Sequence, residues 1–245
     1  MSMLDSLDDI FVERRGFVVT TKPHGTICVM CSGGMDSTIL MERLLGEYNC
    51  NIVPLFIKRG ARAECYEESS FDYYIKYFKN KYPGQIVSET KLMQEIPLRQ
   101  LKYNYPVEVL ATKGYPMRDM LITALGVHYC NYLRYNRNLA INKIYTASLP
   151  EDKFNHSKRE AYRLFNLLVC FDTGDWSWEI TSPFVERLFT ENSKAELIPW
   201  AIKRGLPLQY TRTCIDESMS PCGKCPECLW REEAFVAAGY TDPGR

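Results

Sequence analysis

Unbroken apolar runs and helically spaced apolar positions take turns along this chain. Residues 26–31 (TICVMC) form a short continuous apolar run, the pattern of a strand buried on both faces. From residue 36 to 47 apolar side chains recur at helical spacing, and a second continuous run follows at 51–57 (NIVPLFI). Further helices are predicted over 64–80, 118–135, 158–170 and 193–204, the last opened by Ser193 as N-cap. Further strands are predicted over 85–88, 143–147 and 178–183. Residues 1–25 read as a weakly patterned lead-in with a short strand at 16–20. Residues from about 91 to 117, rich in Pro, Tyr and Lys, read as a loop. Strands separated by helices of this length predict an α/β chain with an open, doubly wound, mostly parallel, Rossmann-like sheet. That domain is expected to span residues 1–205. Residues 206–245 break the alternation and are expected to form a small module packed on it.

Composition narrows the function. Lys+Arg and Asp+Glu each number 30, so the net charge is zero, which argues against nucleic acid held broadly through its phosphates. No apolar run is long enough to cross a bilayer, and the early acids do not suit a signal peptide; the expectation is a cytoplasmic chain with no membrane partner. Ten cysteines are unevenly placed. Cys28, Cys31, Cys50, Cys65, Cys130 and Cys170 are scattered singly, most in apolar segments where a reduced cysteine packs as a small hydrophobe. Cys214, Cys222, Cys225 and Cys228 crowd into one short stretch, which in a reducing compartment points to metal rather than to disulfides. Four thiolates suit tetrahedral Zn²⁺ and leave no open position, so the site reads as structural. An iron–sulfur cluster is the competing metal, since C-x₂-C-x₂-C also serves there.

The first strand runs straight into Ser32-Gly33-Gly34-Met35-Asp36-Ser37. A glycine turn between a buried strand and a helix exposes backbone N–H groups at the positive end of the helix, where an anion can approach closely. Ser32 and Ser37 add hydroxyl donors. Asp36 would repel a phosphate unless it holds Mg²⁺ or caps the helix. Neither the GxxxxGK[ST] loop nor a GxGxxG pattern is present. The plainer reading is a left-handed turn with Asp36 as N-cap.

The motif resembles the PP-loop, SGGxDS, of the ATP pyrophosphatases, whose fold is the adenine nucleotide α-hydrolase-like one. Together with the tail it is similar to the 7-cyano-7-deazaguanine synthase (QueC) family. The tail Cys214…Cys222-Gly-Lys-Cys225-Pro-Glu-Cys228-Leu-Trp-Arg231-Glu-Glu-Ala234-Phe235 follows that family's C…CGxCxxCxxRxxAF. Pro116-Met117-Arg118-Asp119, Gly60-Ala61-Arg62 and Ser182-Pro183…Lys194-Ala195-Glu196 resemble its PxRN, GQR and PL…KAEI segments.

The resemblance implies a ligase that uses ATP, Mg²⁺ and a structural Zn²⁺. The carboxylate of 7-carboxy-7-deazaguanine is adenylated, and ammonia displaces AMP to give an amide. A second adenylation then dehydrates the amide to the nitrile. ATP would be held by Ser32, Gly33, Gly34, Asp36 and Ser37, with Arg62. Asp36, Arg118 and Lys194 would be catalytic. Arg118, Asp119, Asp152, His156 and Arg159 would face the substrate. Three of these have a plainer reading: Arg118 as a helix-start ion pair, Lys194 as a solvated first-turn residue, His156 as a solvated loop histidine. The resemblance also implies a homodimer.

There are departures. The family's GYPDCRxEF has no good match, and Asp152-Lys153-Phe154-Asn155-His156-Ser157-Lys158-Arg159-Glu160 stands in its place. Asp119 replaces an Asn, and Ala63 replaces a His. These departures motivate a variant that hands the activated acid to another amine, such as one on a protein. Two other classes stay open. A tRNA-modifying PP-loop enzyme would need a reactive cysteine pair and a basic face; a non-catalytic module would bind ATP without releasing pyrophosphate.

Overall fold

The computed structural model describes residues 2–102, 104–106 and 114–245. Among them, five strands form one sheet: β1 (Thr26–Cys31), β2 (Asn51–Lys58), β3 (Thr90–Met93), β4 (Ile141–Tyr145) and β5 (Glu179–Thr181). Every pairing is parallel and the order is β3-β2-β1-β4-β5. Parallel strands need crossovers, and helices supply them on both faces. Helices α2 (Met35–Gly46), α3 (Glu64–Lys81), α7 (Lys194–Lys203) and α8 (Pro226–Ala237) contribute Leu40, Phe71, Phe78, Ala201 and Phe235 to one core. Helices α1 (Met3–Arg15), α5 (Arg118–Arg137) and α6 (Arg159–Thr173) contribute Phe11, Cys130, Leu133 and Cys170 to the other. Alternate residues of β1 divide between the layers, Ile27 and Val29 to the first and Cys28 to the second. That two-sided burial is why the strand reads as one continuous apolar run.

Three expectations need correcting. The lead-in is largely helix, not coil with a strand at 16–20. Ser2 accepts from the Asp5 amide at 3.1 Å and the Asp5 carboxylate accepts from the Ser2 amide at 2.8 Å, a capping box that opens α1. Gly16, at φ +82°, closes it in a left-handed cap. Only Leu7 and Phe11 are buried along α1, a stripe too narrow to stand out as periodicity. The segment after it makes no ladder. Its carbonyls at Phe17 and Val18 accept from Arg15, and the amide and hydroxyl of Thr20 donate to Glu179, each at 2.9 Å.

The strand expected at 85–88 is a single bridge, Ile52 to Ile86. The outer strand is β3, inside the region expected to be loop. It is an edge strand with alternating half-burial, so it carries no apolar run. The same region holds a short helix, α4 (Arg99–Lys102); its residues 103 and 107–113 lie outside the described ones.

The chain goes from β1 to β2 and β3 on one side, then returns to β4 and β5 on the other. This reversal opens a crevice beyond the carboxyl ends of β1 and β4. No described helix is long and apolar enough to cross a membrane.

Candidate active site

The crevice is a cleft of about 460 Å³. At its floor, β1 passes through Ser32-Gly33-Gly34 into α2. Gly33 sits at φ +72°, and a Cβ there would lie 2.3 Å from the Glu67 carbonyl oxygen of α3, so both conformation and space demand glycine. Its own carbonyl is turned into protein, accepting from Ser70 Oγ at 2.7 Å and from the Arg212 amide at 2.9 Å. Ser32, Gly34 and the start of α2 line the cleft. The first N–H groups of α2 have no acceptor within the helix. Two weak local bonds hold the serines in place: the Ser32 amide donates to Ser37 Oγ at 3.4 Å, and the Gly34 amide donates to Ser32 Oγ at 3.3 Å. Gly34, not Asp36, occupies the N-cap position, and no side chain caps it. Gly33→Ala is expected to destabilise the fold by about 3 kcal/mol, the sum of a left-handed alanine and a backbone overlap, read as a lower urea midpoint.

Asp36 stands in the first turn of α2. One carboxylate oxygen, Oδ1, is buried with no hydrogen-bond partner, while Oδ2 stands 3.5 Å from Lys194 Nζ. Burial raises the Asp36 carboxyl above its ordinary value, and the Lys194 charge opposes that rise. Lys194 comes from the first position of α7, whose start is fixed by a capping box between Ser193 and Glu196. Its ammonium is held charged chiefly by Asp36, then by Asp152 and Glu227. Asp152 and Glu227 both line the cleft, and burial raises both carboxyls. The cleft thus gathers three carboxylates around one ammonium.

On the opposite wall, Asp119 Oδ2 accepts from Arg118 Nη2 at 3.1 Å and faces His156 Nε2 at 3.2 Å. Arg118 opens α5, and its charge also reaches Glu67 and Glu227. His156 sits in the 3-10 turn Asn155–Ser157, its ring stacked on Phe154.

Ser32, Gly34, Asp36, Ser37, Arg118, Asp119, Asp152, His156 and Lys194 therefore meet around one cleft, with Gly33 beneath it. Arg62 and Arg159 do not join them. Arg62 is exposed and outside the lining; Arg159 donates through Nε to the Val185 carbonyl at 3.1 Å and lies 3.6 Å from Glu186. Sequence reasoning missed Glu227, Trp230 and Arg212. Glu227 stands between Cys225 and Cys228 in a stretch that spacing assigns wholly to metal. A charged residue there, at the second position of a helix, was the available signal. Nothing in the sequence marks Arg212, whose guanidinium is spent on the carbonyls of Cys214, Asp216, Ser218 and Met219.

The sulfur ligands of Cys214, Cys222, Cys225 and Cys228 all lie within 4.8 Å of one another, and the set can bind a metal ion. Backbone amides point at the sulfurs. Cys214 Sγ accepts from the amides of Cys222 at 3.3 Å and Asp216 at 3.5 Å, and amides of Lys224 and Cys225 hold the Cys222 thiol down at about 6. Such bonds steady thiolate ligands. The segment is tied to the body by Arg231, which donates to Thr211 Oγ1 at 2.6 Å, the Leu208 carbonyl at 3.0 Å and the Asp242 carboxylate at 2.7 Å.

The family of queuosine biosynthesis protein QueC matches residues 26–239. The 7-cyano-7-deazaguanine synthase of Koribacter versatilis is 24% identical over 234 residues, 89% of this chain and 92% of that protein. That of Archaeoglobus fulgidus is 27% identical over 228 residues, 88% and 87% of the two. Among solved structures, the U34-tRNA thiolase NcsA from Methanococcus maripaludis with its [4Fe-4S] cluster aligns at a TM-score of 0.43 and 10% identity. That alignment covers 95% of this chain and 71% of the thiolase, a likeness too distant to bear on the site. With the family match running from the first strand through the cysteine tail, the chain belongs to the queuosine biosynthesis protein QueC family.

Proposed function

We propose that the chain is an ATP-dependent, AMP-forming ligase that adenylates the carboxylate of 7-carboxy-7-deazaguanine and joins it to ammonia. The product is an amide, which a second adenylation dehydrates to the nitrile. The observation that carries this reading is the buried, partnerless oxygen of Asp36 beside a glycine turn that lines the cleft. A bare carboxylate there opposes phosphate, and is a donor that would hold a divalent cation. Mg²⁺, bound by Asp36, would neutralise the charge of the departing pyrophosphate.

In the first step a substrate carboxylate oxygen bonds to the α-phosphorus, and the bond to the bridging oxygen breaks with its electrons leaving on pyrophosphate. The turn amides, Ser32 and Ser37 would hold that leaving group. Lys194 balances the negative charge gathered around Asp36, and Arg118 offers its guanidinium to the carboxylate being activated. The cysteine set would hold Zn²⁺. Four thiolates at about 2.3 Å from the metal require sulfur separations near 3.8 Å, in keeping with the clustering here, and such a closed site is structural. The thiolation alternative finds little support, because Cys65 is the exposed cysteine outside the tail and the other five there are buried.

Incubation with ATP, Mg²⁺, the carboxylated base and ammonia should release AMP in proportion to the carboxylate and yield a product of amide or nitrile mass. Absence of carboxylate-dependent AMP would overturn the reading. AMP released without either product would leave adenylation standing and replace ammonia by another amine.

A further inference from the structure

One part of the cleft is used neither by the turn nor by the Asp36–Lys194 pair. Asp119 Oδ2 accepts from Arg118 and pairs with His156 Nε2 at 3.2 Å. The His156 ring lies on Phe154 with centroids 5.2 Å apart and planes 11° from parallel, which holds its orientation. Its turn is pinned by Lys158 Nζ, which donates to the Asp152 carbonyl at 2.6 Å, and by the Ser157 amide, which donates to the Phe154 carbonyl at 3.1 Å. Of the three histidines, His156 is the one that lines the cleft.

A carboxylate facing Nε2 selects the tautomer that carries its proton there, and this leaves the lone pair on Nδ1. Among the described residues, Nδ1 has no hydrogen-bond partner. An imidazole oriented by a carboxylate, with its second nitrogen free in a substrate cleft, is built to accept a proton. Resting on the adenylating reading above, we propose that His156 is the general base of the amine-transfer step and that Asp119 is its positioning residue.

The amine lone pair forms a C–N bond to the acyl carbon of the adenylate. The C–O bond to AMP breaks, and its electron pair leaves on the AMP phosphate oxygen. The proton lost by nitrogen passes to Nδ1 of His156 and then to solvent. Lys194 is ill suited to this step, since Asp36 and its neighbours hold it as an ammonium with no lone pair to offer. The first adenylation, which the exchange reads, releases no proton from nitrogen and so has no need of a base at His156; the two half-reactions should separate there.

The experiment measures carboxylate-dependent ATP–pyrophosphate exchange and amine-dependent product formation side by side. His156→Ala is expected to lower product formation by about 10²-fold more than it lowers exchange, and added imidazole should restore part of the product rate. His156→Gln, which keeps a donor for Asp119 but accepts no proton in this role, should match the alanine variant and guards against misfolding. Asp119→Asn should reduce product formation by about 10-fold and leave the KM for the amine unchanged. Equal losses of exchange and product without imidazole rescue would overturn the proposal, as would an unchanged product rate. Absence of exchange in the unaltered protein would overturn the adenylating reading itself, a result distinct from either.

Discussion

Asp36→Asn is expected to lower carboxylate-dependent AMP release by roughly 10²–10³-fold without lowering the melting temperature. The two halves of this result have one cause. Asp36 is half-buried, one of its oxygens meets no donor, and burial raises its carboxyl above the ordinary range. A raised carboxyl means the folded protein binds the proton more readily than the unfolded chain does. Stability from this group is therefore greatest below the unfolded value. It falls as pH rises through the window up to the folded value, and above that window ionised Asp36 is a net cost. The amide removes the charge and its desolvation. Lys194 still faces Asp152, Glu227 and Glu151, so it is not left alone. Activity suffers because an amide oxygen is a poor magnesium ligand and carries no charge to offset the cation. Thermal melts across the acid range and AMP release by chromatography check both halves. A variant that is less stable and fully active would show that Asp36 is a structural residue after all.

Metal removal is the second large effect. Chelation, or Cys222→Ser, should lower the melting temperature by about 8–16 °C and reduce turnover in parallel. About 4 kcal/mol of a structural zinc site's binding free energy, a fraction of the peptide value, would be coupled to folding, at roughly 2–4 °C per kcal/mol for a chain of this size. Two links carry the loss inward. Phe235 of α8 is 1% exposed and packs in the same core as α2 and α3. The Arg212 amide holds the Gly33 carbonyl at 2.9 Å, so the segment leading into the cysteines is a wall of the turn. Scanning calorimetry with and without chelator, with the released metal assayed, gives the answer. Retained stability after complete metal loss would show the segment to be self-sufficient.

What the sequence announces and what it conceals divide along the range of the interactions. β1 and β2 are buried on both faces, so their apolar runs are continuous and need no context to be read. The turn is legible because two adjacent glycines between a strand and a helix have a local steric reason to exist. The four cysteines are legible because a metal gathers ligands at fixed short spacings. In contrast, α1 buries two side chains and β3 is an edge strand, so neither imposes a clear period.

The cleft is a different case. Asp36, Asp152, Lys194 and Glu227 lie far apart along the chain, and no spacing connects them. Parallel strands with helical crossovers bring every carboxyl end to the same side, and this common direction makes them neighbours. The same geometry leaves Arg62 and Arg159 outside, although each belongs to a stretch chosen for the site, because a residue's number does not fix where a long side chain points. Residue types and local steric needs determined the buried strands β1 and β2, the turn and the cysteine set. Only the folded sheet decided which charges share a dielectric, since proximity across the chain is a product of packing.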